Sequence, residues 1–246
     1  MLLIAAAMGE ELKTGMSLCR EKRKMPGRRI SLWEARRNEK PIVFLKTGIG
    51  PKRSAASLEQ ALKAIQPSLI LMIGYAGALD PNLKLGDLVA VEKAIAFSLD
   101  KNNPSWDHIL FEGAFELSHS QSLAKSANSF GLRAYAGDGL TSAYVLGDPT
   151  HKRLLYERFH ASIVDMETAA LARVAASRNV PFSCVRAVSD EAADTFLAPF
   201  SYDPATRVPA RTRKLISTGM VKAYRQWKNH TAIASKSLSR FLSNCL

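Results

Sequence analysis

The chain alternates short apolar runs with amphipathic stretches. LLIAAA (2–7), PIVFLKTGIG (41–50), SLILMIGYAGAL (68–79), DLVAVEKAIAF (87–97), LRAYAGDGLTSA (132–143), ASIVDM (161–166) and PFSCVRAVSDEA (181–192) read as strands. GEELKTGMSLCREK (9–22), SAASLEQALKAIQP (54–67) and METAALARVAASRN (166–179) carry helical spacing. Apolar strands of this length separated by helices predict an α/β fold: one domain, a central, largely parallel mixed sheet, helices on both faces. After Asp203, Leu215, Ile216, Met220, Val221, Tyr224 and Trp227 recur at roughly helical intervals. The expected organisation is a single domain over 1–246, with 204–246 as a basic helical extension. DKNNPSW (100–106) reads as a polar loop, and no internal repeat is evident.

Composition narrows the class. With 246 residues and 47% hydrophobic content the chain has ample material for a core. No apolar run approaches the ~18 residues of a membrane span. The N-terminus turns acidic too soon for a signal peptide, so a cytoplasmic location is expected. Cys19, Cys184 and Cys245 are widely spaced, and the five histidines form no close pair, so neither a disulfide framework nor a metal site is expected. The net charge of +12 is unevenly placed. Residues 204–246 hold nine Lys or Arg, and no Asp or Glu. A second basic cluster runs from Arg20 to Lys40. Such segments attract nucleic acid or anionic lipid, or are solvated faces. No nucleic-acid recognition motif accompanies them.

The chemistry-bearing residues fall at strand ends, where open α/β sheets bind ligands. AAAMGEEL places Glu10 and Glu11 past the first strand, with Glu10 expected to face solvent. KTGIGPKRSAAS is a strand, a glycine turn and a helix start, where Gly50, Lys52 and Arg53 are candidates to hold an anion. It is not a P-loop, since GxxxxGK[ST] is absent. IVDMETAALARV places Asp165, Met166 and Glu167 at the mouth of a helix, where capping competes with ligand binding. RAVSDEA ends a strand on Ser189 and Asp190.

Taken in order, AAMGEEL, KTGIG, LMIGYAGALDPNLKLGDLVAVEKA, AGDGL and IVDMETAALARVAASRNVPFSCVRAVSDEA resemble the nucleoside phosphorylase and nucleosidase superfamily, over most of residues 1–200. The nearest branches in this likeness are the methylthioadenosine/S-adenosylhomocysteine nucleosidases and the hopanoid-associated phosphorylases. The resemblance implies cleavage of the N-glycosidic bond of a purine nucleoside, adenosine-type and modified at the 5′ position. Asp190 is then the acid that protonates the leaving purine, and Glu11 orders or deprotonates the attacking water. Glu167 binds the ribose and offsets charge on an oxocarbenium ion. Met166 packs on the sugar, Ser189 orients Asp190, and Gly77 and Phe200 complete the substrate contacts. Asp165 remains open between a cap and a structural acid. Tyr75 stands where the family has a small residue or serine.

The resemblance implies no cofactor and a homo-oligomer, at least a dimer, whose subunits close each other's sites. Water is slightly favoured as the nucleophile. Met72 stands where phosphorylases of the superfamily carry a phosphate-binding arginine, and Glu11 would repel a dianion. The alternative is a phosphate-dependent enzyme acting on an adenosyl lipid, with the basic tail lying against an anionic membrane. From other classes, a non-catalytic nucleoside sensor and a nucleic-acid-binding protein are the competing readings.

Overall fold

The computed structural model describes residues 1–25, 30–100, 105, 106, 108–195 and 218–246, with the backbone alone for 218–224. Ten strands join in one sheet: β1 (Leu2–Ala6), β2 (Arg20–Lys24), β3 (Ser31–Arg37), β4 (Lys40–Lys46), β5 (Leu69–Ala78), β6 (Leu88–Leu99), β7 (Ile109–Glu116), β8 (Ala134–Thr141), β9 (Ile163–Asp165) and β10 (Phe182–Asp190). Among the described residues six helices accompany them: α1 (Gly9–Met16), α2 (Pro51–Leu62), α3 (Ser120–Ser129), α4 (Pro149–Phe159), α5 (Thr168–Ser177) and α6 (Thr218–Cys245).

The centre of the sheet is parallel, in the order β4, β1, β5, β10. Both of its faces are covered, which explains the continuous apolar runs. Leu3 and Ala5 of β1 pack under α2 and α5, in a layer with Leu58, Leu171 and Val174. Ile4 and Ala6 pack the other way, with Leu12 of α1, Ala124 of α3, and Leu238 and Phe241 of α6. Beyond this centre the sheet curls: β10 also pairs with β6, β6 with β8, β8 with β9, and β9 with β5. Five strands thereby close a ring, which brings the carboxyl ends of β5, β8, β9 and β10 together.

One expectation needs correction. The helix read over 9–22 stops at Met16, and Arg20–Lys24 forms an exposed edge strand, β2. It pairs with β3, so most of the Arg20–Lys40 cluster lies in an antiparallel hairpin at the sheet edge, where charge blunts edge-to-edge association. The tail packs on the domain as a helix. The apolar side of α6 turns inward: Ala234, Leu238, Phe241 and Leu242 are fully buried and Trp227 is partly buried, while Arg225, Lys228, Lys236 and Arg240 are exposed. Contact of α6 with an anionic surface would therefore rest on its charges. Leu215, Ile216 and Phe200 lie outside the described residues, as do the side chains of Met220, Val221 and Tyr224. No helix of the described residues is long and apolar enough to cross a membrane.

Candidate active site

A cavity of about 380 Å³ opens where the strand ends converge. Its lining includes Met8 and Glu11 after β1, Ile49 after β4, Tyr75–Gly77 of β5, Tyr144–Leu146 after β8, Val164–Glu167 around β9, Ser189 and Asp190 of β10, and Trp227 of α6. Most of these side chains are apolar. The charged ones are Glu11, Asp165, Glu167 and Asp190, all carboxylates. That size lies within the range of small-molecule sites.

Glu11 sits in the first turn of α1 and is 2% exposed. One oxygen accepts from Met8 N at 2.7 Å, which closes the helix start, and the other accepts from Tyr75 N at 3.0 Å. Burial pushes its pKa up, against the opposing pull of Arg186 and the backbone amides. Glu10, one residue earlier, is exposed, as the sequence suggested.

Glu167 enters the cavity from the start of α5. Gly50 N donates to its Oε1 at 2.9 Å. Gly50 reaches that position with φ +91, which a side chain would resist. The glycine turn expected to hold an anion therefore serves this carboxylate. Lys52 and Arg53, expected beside that anion, are exposed and do not line the cavity. Arg53 folds back across Gly48, where a β-carbon would collide with it. Burial pushes Glu167 up to about 7, with Arg186 opposing and Asp165 adding to the rise.

Asp165 resolves the capping question. Its Oδ1 accepts from Glu167 N and Thr168 N, both at 3.1 Å, and from Thr141 Oγ1 at 3.0 Å. Thr168 Oγ1 donates to its Oδ2. Asp165 thus caps α5 from three residues before its first residue and ties it to β8. Met166, partly exposed, is left facing the cavity.

Behind these acids stands Arg186, 1% exposed in the middle of β10. Its Nη2 lies 2.7 Å from Asp165 Oδ2 and 3.4 Å from Glu167 Oε2, and it donates to Thr168 Oγ1 at 3.1 Å. Its Nη1 and the Glu11 carboxylate converge over Gly74, where a β-carbon would collide with both. Burial alone would disfavour the charged guanidinium, but Asp165, Glu167 and Glu11 outweigh it and raise the Arg186 pKa. Sequence reasoning passed over this residue. The available signal was a charged side chain inside an apolar run predicted to be buried on both faces.

Asp190 closes the far side of the cavity. Ser189 Oγ donates to its Oδ1 at 2.9 Å. Its Oδ2 lies against β5, 2.8 Å from where a β-carbon on Gly77 would sit. That oxygen also pairs with Lys152 of α4, a lysine with no exposure, whose Nζ donates to Glu191 O at 2.8 Å as well. Lys152 was also missed, because no motif surrounds it in a basic helix. Tyr75 adds a wall between the cavity and α6. Burial pushes its hydroxyl up to about 12, although a hydrogen bond with Ser235 opposes the rise. Among the described residues, no cluster of His, Cys, Asp and Glu could hold a metal ion.

The site therefore combines a ring-closed α/β fold with carboxylates at its strand ends. The chain matches the Phosphorylase superfamily over residues 2–218 and belongs to that family of enzymes. Solved structures agree on the fold. The 5'-methylthioadenosine/S-adenosylhomocysteine nucleosidase of Neisseria meningitidis, in complex with methylthio-immucillin-A, superposes with a TM-score of 0.76 at 17% identity, covering 99% of this chain and 96% of the other. The futalosine hydrolase of Helicobacter pylori gives 0.77 at 21% identity, with 99% and 95% coverage. The Campylobacter jejuni 5'-methylthioadenosine/S-adenosyl homocysteine nucleosidase gives 0.70 at 22% identity, with 96% and 97% coverage.

Proposed function

We propose that the chain is a purine nucleosidase that hydrolyses the N-glycosidic bond of an adenosine-type nucleoside carrying an apolar 5′ group. One observation carries this reading: every charged group that lines the cavity among the described residues is a carboxylate. An acid-lined, largely apolar site favours a cation developing on the sugar and disfavours entry of a phosphate dianion. The family membership supplies the bond to be broken; the charge of the wall favours water as the nucleophile.

The roles follow from position. Asp190, held by Ser189, delivers a proton to the purine, so that the base leaves neutral. Glu167, in its ionised form and fixed by Gly50 N, accepts hydrogen bonds from ribose hydroxyls and offsets charge at the anomeric carbon. Glu11 takes a proton from the attacking water, and its burial makes it a stronger base. Met8, Ile49, Val145 and Leu146 offer an apolar bed for the 5′ group. Ile49 at the rim, and Leu110 and Phe111 on β7, are large exposed apolar side chains that support assembly with a second copy.

The test is incubation with adenosine, methylthioadenosine and S-adenosylhomocysteine, with and without phosphate. Adenine and a reducing sugar should appear at equal rates in both buffers. Formation of a sugar 1-phosphate, dependent on added phosphate, would overturn hydrolysis. Base release from none of the three would overturn the substrate class. Asp190→Asn should reduce kcat by roughly 10²–10⁴-fold.

A further inference from the structure

We infer that Lys152 is a positioning residue that acts through Asp190: it orients the carboxylate and supplies the proton that passes to the leaving base. The inference rests on Asp190 as the acid in the proposed function. Three observations carry it. Lys152 has no exposure, yet belongs to a helix whose other basic side chains reach solvent. Its Nζ contacts Asp190 Oδ2 and donates to Glu191 O, so it is fixed on both sides of the acid. Asp190 Oδ1 meanwhile accepts from Ser189, so the carboxylate is held at both oxygens.

An aspartate paired with an ammonium ion is already anionic and has no proton of its own to give. The buried ammonium beside it has one. As the glycosidic bond breaks, its electron pair moves onto the purine and makes the ring nitrogen basic. A proton passes from Nζ to the carboxylate, and from the carboxylate to that nitrogen. One Nζ–H bond breaks and one N–H bond forms on the base. Lysine ends neutral, Asp190 ends anionic as it began, and the base leaves uncharged. Solvent returns the proton to lysine after product release.

The surroundings contain few rivals for this transfer. Glu191 pairs through its side chain with Lys84, and its amide donates to Asp194. On α4, Asp148 caps the helix through Thr150 N, and His151 stacks on Trp106. Arg153 pairs with Glu157 on the exposed side. From β5, Gly77 pairs with Asp190, and Tyr144 lines the same cavity.

The experiment compares Lys152→Met, Lys152→Arg and Asp190→Asn with the unaltered protein. Base release from methylthioadenosine is followed between pH 5 and 9, after thermal melts confirm folding. Lys152→Met should lose roughly 10²-fold or more in kcat at neutral pH. It should recover part of that loss at the acid end, where solvent protonates Asp190 directly. Lys152→Arg keeps the charge but does not release a proton in this range. It should lower kcat with little change in KM, and it decides the matter if the methionine variant does not fold. Asp190→Asn should be flat and low throughout. Wild-type pH profiles in either lysine variant, or a loss in Lys152→Met that is equal at every pH, would overturn the inference alone. An active Asp190→Asn would instead overturn the assignment of the acid.

Discussion

The site contains two buried cations, and they are balanced differently. Arg186 is surrounded by Asp165, Glu167 and Glu11, whereas among the described residues the acid paired with Lys152 is Asp190. The first group carries more negative charge than its arginine can cancel. Burial raises the pKa of both Glu11 and Glu167, and at Glu167 the neighbouring Asp165 and Glu11 add to the rise. The second pair is matched one to one. A buried pair with no surplus suits proton transfer, and a buried surplus of negative charge suits stabilising a sugar cation. The two halves of the cavity are thus built for the two ends of one breaking bond.

The largest expected effect comes from removing the arginine. Arg186→Met strands three carboxylates at once and should cost about 3–5 kcal/mol of stability in urea unfolding at neutral pH. The loss should shrink toward acid pH, as the stranded acids take up protons. If the variant is as stable as the wild type at pH 7, the surplus of charge is not what the geometry indicates.

Glu167→Gln comes next. It should lower kcat by about 10²-fold with a smaller change in KM, because the carboxylate matters most as the sugar becomes cationic. It should also change the pH dependence of stability. The folded-state value is raised from 4.5 to about 7, so between those limits the folded protein binds more protons than the unfolded chain. Wild-type stability should therefore fall as pH rises through that window, and the glutamine variant should lose that part of the slope. An unchanged slope would show that Glu167 does not titrate in this range.

A smaller perturbation tests the matched pair without altering its charges. Gly77→Ala places a β-carbon 2.8 Å from Asp190 Oδ2 and must move the carboxylate or the strand. Overpacking of this kind costs roughly 1–3 kcal/mol. Activity should fall further than the stability change accounts for, and kcat measured well below the melting temperature separates the two. The smallest effect belongs to an exposed control. Arg23 and Glu34 pair at 3.1 Å across β2 and β3, with side chains 78% and 44% exposed. Arg23→Ala should cost under about 1 kcal/mol, and less in high salt. A larger loss there would weaken the contrast between buried and surface pairs.

What the sequence made legible follows the same division. Buried strands announce themselves through apolar runs, and Glu11, Glu167 and Asp190 stand out because each is an acid just past such a run. All three line the cavity. The β2–β3 hairpin was not legible as strand, because an exposed, charged edge has no alternation imposed by a core. Lys152 and Arg186 were missed for opposite reasons. Lys152 hides in a polar helix whose inward face is set by tertiary packing. Arg186 hides in an apolar strand, where a single charge reads as an irregularity. Gly50 was noticed for its turn, but its partner was not legible, since nothing in sequence links its amide to a side chain 117 positions away.

The ring of strands also sets the order in which the molecule can be made. β10 lies between β5 and β6, with all nine of its residues buried, and among the described residues it is the last strand in chain order. Until it is made β5 and β6 have no β10 to pair with, and Asp190 and Arg186 have not been synthesised. A nascent chain halted before Phe182 would carry two apolar strand edges and no site, and such edges invite intermolecular pairing. Closing the ring across so long a span of chain is entropically slow, so assembly of this enzyme should wait on β10. Activity would then arrive late and all at once.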